Sequence, residues 1–187
     1  TDHHLPGDEL PVAHAIVNPN SPGDGFPSKA LAGVGVVFYL MGAVRGRLRD
    51  AGWFGRGRPE PNLARYLDLV ALGTVADVVP LLDENRVLVS MGLQALSVTK
   101  HPGLRALLEV ARCAGGLVRP RDVAFRIGPR INAAGRLDSA HLALDLLLCE
   151  EPAEAGRLAL RLDAGNRERQ RIERAQADEA FERARQR

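Results

Sequence analysis

The chain has 187 residues, 45% of them hydrophobic and 26% charged, enough for a sizeable core in one domain or in one domain and the start of a second. Its net charge of +2 carries no global signature of nucleic-acid binding, and Cys113 and Cys149 lack CxxC spacing, so neither a zinc knuckle nor a disulfide framework is indicated. Aromatic residues make up only 4%, so Leu, Val and Ala must build the core. The longest apolar run, Val34 to Val44, is interrupted by Gly35 and Gly42 and is too short for a bilayer.

In chain order, VAHAIVN at 12–18 alternates enough to predict a short strand, followed by a loop rich in Asn, Pro, Gly and Asp up to Pro27. Ser28 can cap a helix over 29–51, whose Leu31, Val34, Phe38, Leu40 and Met41 suit a buried face. GRGRPEP at 55–61 is a surface turn. Asn62 then caps an apolar helix that ends near Asp77, with Pro80 beyond it. Further helices are predicted over 85–97 and 103–111, while 119–137 mixes short helix and loop, broken at Gly128-Pro129. Ser139 starts a compact apolar helix, and Pro152 stands at the first turn of a last one, where proline is tolerated. From Asn166 onward that helix is densely charged with few apolar anchors, as in a solvated helix bridging two domains.

Three features carry chemistry. Asp2-His3-His4 offers two imidazoles suited to Mn²⁺, Zn²⁺ or Fe²⁺ beside a carboxylate that can coordinate or fix a tautomer. Neighbours in an extended segment point to opposite sides, so one ion takes one of these histidines. Asp77 closes a hydrophobic helix; it is either a turn aspartate in water or a buried charge compensated by an ion. Segment 119–137 carries five arginines against one acid, around the small residues Ala133, Ala134 and Gly135 that permit close backbone approach. Arginine forks match phosphate oxygens, and a solvated basic loop is the competing reading. The basic stretch from Arg45 to Arg58 reads as a solvated surface. His14, His101 and His141 have no ligand-spaced partners, and Gly33-Val34-Gly35 lacks the third glycine of a dinucleotide fingerprint.

Taken together and in order, TDHHLPG at 1–7, VNPN at 17–20, FPSKALAGVGVVFYL at 26–40, DLVALGTVADVVPL at 68–81 and GPRINAAGRL at 128–137 resemble the RecJ family of the DHH phosphoesterase superfamily. The resemblance covers nearly the whole chain. It implies an α/β fold, mainly α here, with 1–150 as the C-terminal part of a DHH catalytic domain and 151–187 as a long interdomain helix. It implies a 5′-to-3′ exonuclease on single-stranded DNA that uses Mn²⁺ or Mg²⁺ in recombination and repair. His3 and Asp77 become the expected metal ligands, His4 acts on the phosphate or a second ion, and Asp2 supports it closely. Asn132, Arg136 and Arg130 become candidate phosphate contacts. A cytoplasmic monomer is expected, with single-stranded DNA, a single-strand-binding protein and a helicase as partners and no membrane association. The family also places an Asp-x-Asp motif and a further Asp ahead of DHH, and this sequence has no Asp-x-Asp. The chain is therefore expected to be an internal piece, inactive alone. The alternatives are a superfamily phosphodiesterase on short oligonucleotides or cyclic dinucleotides, and a non-catalytic partner-binding relative.

Overall fold

The computed structural model describes residues 1–55, 57–137 and 139–185, with the backbone alone at Arg136 and Leu137. Contacts divide the chain into two compact units, 1–98 and 99–187. All regular elements among the described residues are helical.

Unit 1 holds α1 (Gly33–Asp50), a 3₁₀ turn (Leu63–Tyr66) running into α2 (Leu67–Ala76), and α3 (Asp83–Ser97). Asn62 caps the 3₁₀ turn as expected, its side-chain oxygen accepting from the Ala64 N–H at 3.0 Å. α2 buries residues all round, Leu67, Val70, Ala71, Leu72 and Val75 among them, which a helix does only when covered on several sides. α1 and α3 supply that cover. Leu31, Val36, Leu67, Val70 and Leu88 form the shared cluster, with Phe26, Val34, Phe38 and Ala95 against it.

The α2–α3 crossing is close because α3 has a glycine there. A Cβ at Gly92 would lie 2.2 Å from the Leu67 carbonyl oxygen and 2.5 Å from the Ala71 Cβ. Gly92→Ala should therefore destabilise unit 1 by about 1–3 kcal/mol, although alanine is the better helix former. Urea unfolding followed by far-UV circular dichroism measures this, and an unchanged or raised midpoint would mean that the two helices separate freely.

Unit 1 departs from expectation in two places. Residues 12–18 form no strand. Strand backbone needs a partner to satisfy it, and the one backbone bond they make to a distant segment among the described residues runs from the Asp2 N–H to the Val17 carbonyl at 3.1 Å, while the Asn18 carbonyl accepts from Ser21 in a local turn. The first helix starts at Gly33, with Ala32 rather than Ser28 at its N-cap. A start at Lys29 would need the Lys29 and Ala30 carbonyls for helical bonds. Both are taken instead, by the side-chain amides of Asn20 (3.0 Å) and Asn85 (2.7 Å).

Unit 2 holds α4 (Pro102–Val110), a short helical turn α5 (Pro120–Asp122), a π-helical turn (Val123–Ile127), α6 (Gly128–Leu137), α7 (His141–Leu148) and α8 (Pro152–Arg185). Residues 120–137 are thus helical throughout, and Gly128-Pro129 does not break them. Pro129 falls in the first turn of α6, where its missing N–H costs least, and the preceding π turn changes the bonding register. α8 packs on α4, α6 and α7 through Ala155, Leu158, Ala159 and Leu162, and beyond Asn166 it is mostly exposed. No described helix is long and apolar enough to cross a membrane.

Candidate metal centre

The site in unit 1 is built on a segment with no regular structure, so side chains must hold it. Asp2 Oδ1 accepts from the backbone N–H groups of His3 (2.7 Å) and His4 (3.2 Å) and from His4 Nδ1 (2.8 Å). The His4 side-chain bond first, then the two backbone bonds, lower the Asp2 carboxyl to a pKa of about 2. With Nδ1 donating to Asp2, the His4 tautomer is fixed and its Nε2 is the acceptor, on a ring that is largely exposed.

Two amides hold the segment from behind, and an ammonium and a third amide brace the backbone around it. Asn18, itself buried, donates to the His4 carbonyl at 2.8 Å, and Asn20 donates to the His3 carbonyl at 2.8 Å. Asn20's own N–H is held by Asn18 Oδ1 at 2.9 Å. Lys29 Nζ bonds the carbonyls of Pro19 (2.6 Å) and Asp24 (2.9 Å). Asn85, fully buried, bridges the Ala30 carbonyl ahead of α1 to the Pro80 carbonyl in the loop after Asp77, at 2.7 and 2.9 Å. None of these residues was singled out from the sequence. VNPN marked the place, without a sign of which backbone groups its amides would reach.

His3 is the inward-facing histidine, with 16% of its side chain exposed. Its ring lies over the first residue of α1, where a Cβ on Gly33 would stand 3.2 Å from His3 Cδ2. Nε2 comes within 3.3 Å of Asp77 Oδ2, which is 37% exposed. The two histidine rings sit 4.2 Å apart at 47°.

These residues fit a divalent cation. Ligands at about 2.0–2.2 Å from one ion, at right angles, stand about 3 Å apart, close to the His3–Asp77 separation. Donor atoms of Asp2, His3 and His4 also lie within 4.8 Å of one another. Asp77 is the C-cap of α2, where the helix dipole opposes a carboxylate, and Val78 after it has φ +60°. A bound cation offsets that placement.

The unit 2 candidates divide. Asn132 is exposed on α6. The Arg136 side chain lies outside the described residues. Arg130 is engaged internally: Nε and Nη2 bond Asp163 Oδ1 at 2.9 and 2.8 Å, and the guanidinium also donates to the carbonyls of Arg126 and Val110. Ala133 and Ala134 are buried and line a cavity with Leu142 and Leu162, so packing within unit 2 uses part of the small-residue signal.

A model of the DHH family, N-terminal domain, matches residues 1–74. The single-stranded-DNA-specific exonuclease RecJ of Dickeya dadantii is 55% identical over 183 residues, 97% of this chain and 32% of that protein. RecJ of Bacillus subtilis is 43% identical over 182 residues, 97% of this chain and 21% of that protein. The crystal structure of RecJ in complex with Mn²⁺ from Thermus thermophilus superposes with a TM-score of 0.78 at 40% identity, over 95% of this chain and 25% of that one. A structure of exonuclease RecJ bound to manganese gives 0.77 at 41% identity, over 96% and 42%. The chain spans about a third of the length of the first of these relatives. Its Asp2-His3-His4 segment lies inside the matched family model, and the likeness to RecJ continues through Asp77 and α8: residues 1–74 match the DHH family, and the chain is similar to RecJ over nearly its whole length.

Proposed function

We propose that this chain is part of a metal-dependent exonuclease that degrades single-stranded DNA from the 5′ end in recombination and repair. The observation that carries the reading is the convergence of His3 Nε2 and Asp77 Oδ2, distant in sequence and 3.3 Å apart. In this reading His3 and Asp77 ligate Mn²⁺ or Mg²⁺, the ions named for the RecJ structures this chain resembles. The ion supplies an activated water and relieves charge on the phosphate oxygens. Asp2 fixes the His4 tautomer, and the exposed His4 Nε2 faces the scissile phosphate or a second ion. Asn132 and Arg136 grip the phosphate backbone. Arg130 is withdrawn from that role because Asp163 and two carbonyls occupy its donors.

Residues 1–150 serve in this reading as the C-terminal part of the catalytic domain and 151–187 as the connecting helix. The rest of the proposal is a monomer in the cytoplasm, working with a single-strand-binding protein and a helicase. The test uses a protein of the relatives' full length that carries this chain. With Mn²⁺ it should release mononucleotides from 5′-phosphorylated single strands and leave blunt duplex largely uncut. Cleavage only of dinucleotides or cyclic dinucleotides would move the function to a small-substrate phosphodiesterase.

Arg136 supplies a further check. Arg136→Ala in that protein should weaken single-stranded DNA binding similarly for all sequences and flatten log affinity against log salt by roughly 0.7, the counterion share of one phosphate. Arg136→Lys should recover only part, lacking the planar fork. An unchanged salt slope would return Arg136 to the solvated surface.

A further inference from the structure

At the far end of α1 from His3 the chain makes a tight turn that presents an aromatic ring. α1 closes with Gly52 at φ +67°, its N–H bonding the Arg49 carbonyl at 2.9 Å, while the Trp53 N–H bonds the Leu48 carbonyl at 2.9 Å. Gly55 and Arg58 then exchange both backbone bonds, at 2.8 and 3.0 Å. Gly55 and Gly57 have φ of +104° and +89°, conformations that favour glycine. This closure lays the Arg58 guanidinium over the Trp53 indole, 4.5 Å from the ring centroid, and leaves Trp53 51% exposed.

We propose that Trp53 and Arg58 form a stacking platform for single-stranded nucleic acid, separate from the metal centre. Residues 45–60 hold five arginines and two acids. Arg45 and Arg49 are tied to Glu60, whereas no carboxylate among the described residues pairs with Arg47 or Arg58. Excess cations beside a half-exposed indole are what a strand with unstacked bases and a charged backbone requires. A protein partner would ask for a contiguous apolar patch, whereas the side chain packed on the Trp53 ring is a cation, Arg58. The 18 residues of α1 span roughly 27 Å at about 1.5 Å per residue, so the platform holds a different part of the strand from the one at His3. The polyanion's identity rests on the function proposed above; the existence of the platform does not. On this proposal the Arg45–Arg58 stretch, expected to be a solvated surface, takes part in binding.

Trp53 is the chain's one tryptophan, so its fluorescence reports the site directly. The chain is titrated with a short oligothymidylate in EDTA, with fluorescence quenching and anisotropy of a labelled oligonucleotide read in parallel. Saturable quenching that tracks the anisotropy is expected. Trp53→Ala should weaken binding by about 5- to 150-fold, the value of stacking one base, and Trp53→Phe by less. Arg58→Ala should weaken it and lower the salt slope by about 0.7. Anisotropy without quenching would place the strand elsewhere and overturn the proposal. Equal quenching by linear polyphosphate would reduce the platform to a charge patch and also overturn it. So would quenching by an acidic peptide but not by the oligonucleotide, which would assign the surface to a protein. Because no turnover is measured and no metal is present, failure here leaves the nuclease reading intact, and failure of the nuclease assay leaves this result standing.

Discussion

His3→Ala and Asp77→Ala, each placed in a full-length protein carrying this chain, should each lower the single-strand exonuclease rate by on the order of 10³-fold or more. The two lie 3.3 Å apart, a ligand–ligand spacing around one ion, so loss of either leaves the cation short of a donor. Stability should respond differently from activity. Asp77 sits at the C-terminal end of α2, where a negative charge opposes the helix dipole, so Asp77→Ala should leave the unfolding midpoint unchanged or raise it. His3 lies on a loop whose backbone is held by Asn20 and Asn18 through carbonyls that the substitution keeps. A rate collapse with an intact midpoint is the signature of ligands rather than of core residues. If either variant kept more than about a tenth of the rate at saturating Mn²⁺, that residue would leave the ligand set.

The parts of this site differ in how well the sequence revealed them. Asp2-His3-His4 and Asp77 stood out because their chemistry is in their residue types, and the order of motifs around them resembles one family. The match of residues 1–74 to the DHH family and the likeness to RecJ support the expected α/β catalytic domain, although the described residues of this chain form helices alone. What spacing could not reveal was support. Asn18, Asn20 and Asn85 look like ordinary turn and helix residues, yet their amides reach carbonyls 14, 17 and 55 positions away. Asn20 and Asn85, by taking the Lys29 and Ala30 carbonyls, also removed the first turn predicted for α1. Pro129 misled in the opposite direction. A Gly-Pro pair usually ends a helix, but here the helical stretch runs through it, with Pro129 in the first turn of α6 after the π turn.

Arg130 shows a different limit, since a count of arginines cannot separate a phosphate fork from a buried ion pair. Its partner, Asp163, lies 33 residues on, in α8, and its side chain is only 5% exposed. Asp163 also pairs with Arg167 one turn along α8. Removing one member of such a pair strands the other's charge away from water, so Asp163→Ala should destabilise unit 2 by about 3–5 kcal/mol. Asp163→Asn keeps an acceptor for Arg130 and should cost less, about 1–3 kcal/mol. Replacing both partners, as Arg130→Met with Asp163→Leu, should recover much of the loss, because no buried charge then lacks its counter-charge. Urea unfolding read by far-UV circular dichroism is the appropriate measurement, since the single tryptophan belongs to unit 1. The double variant also tests function. If Arg130 only ties α6 to α8, the repacked pair should bind single-stranded DNA with an unchanged salt slope. A loss of about 0.7 in that slope would make Arg130 a phosphate contact after all, and a cost below about 1 kcal/mol for Asp163→Ala would make the pair an ordinary surface contact.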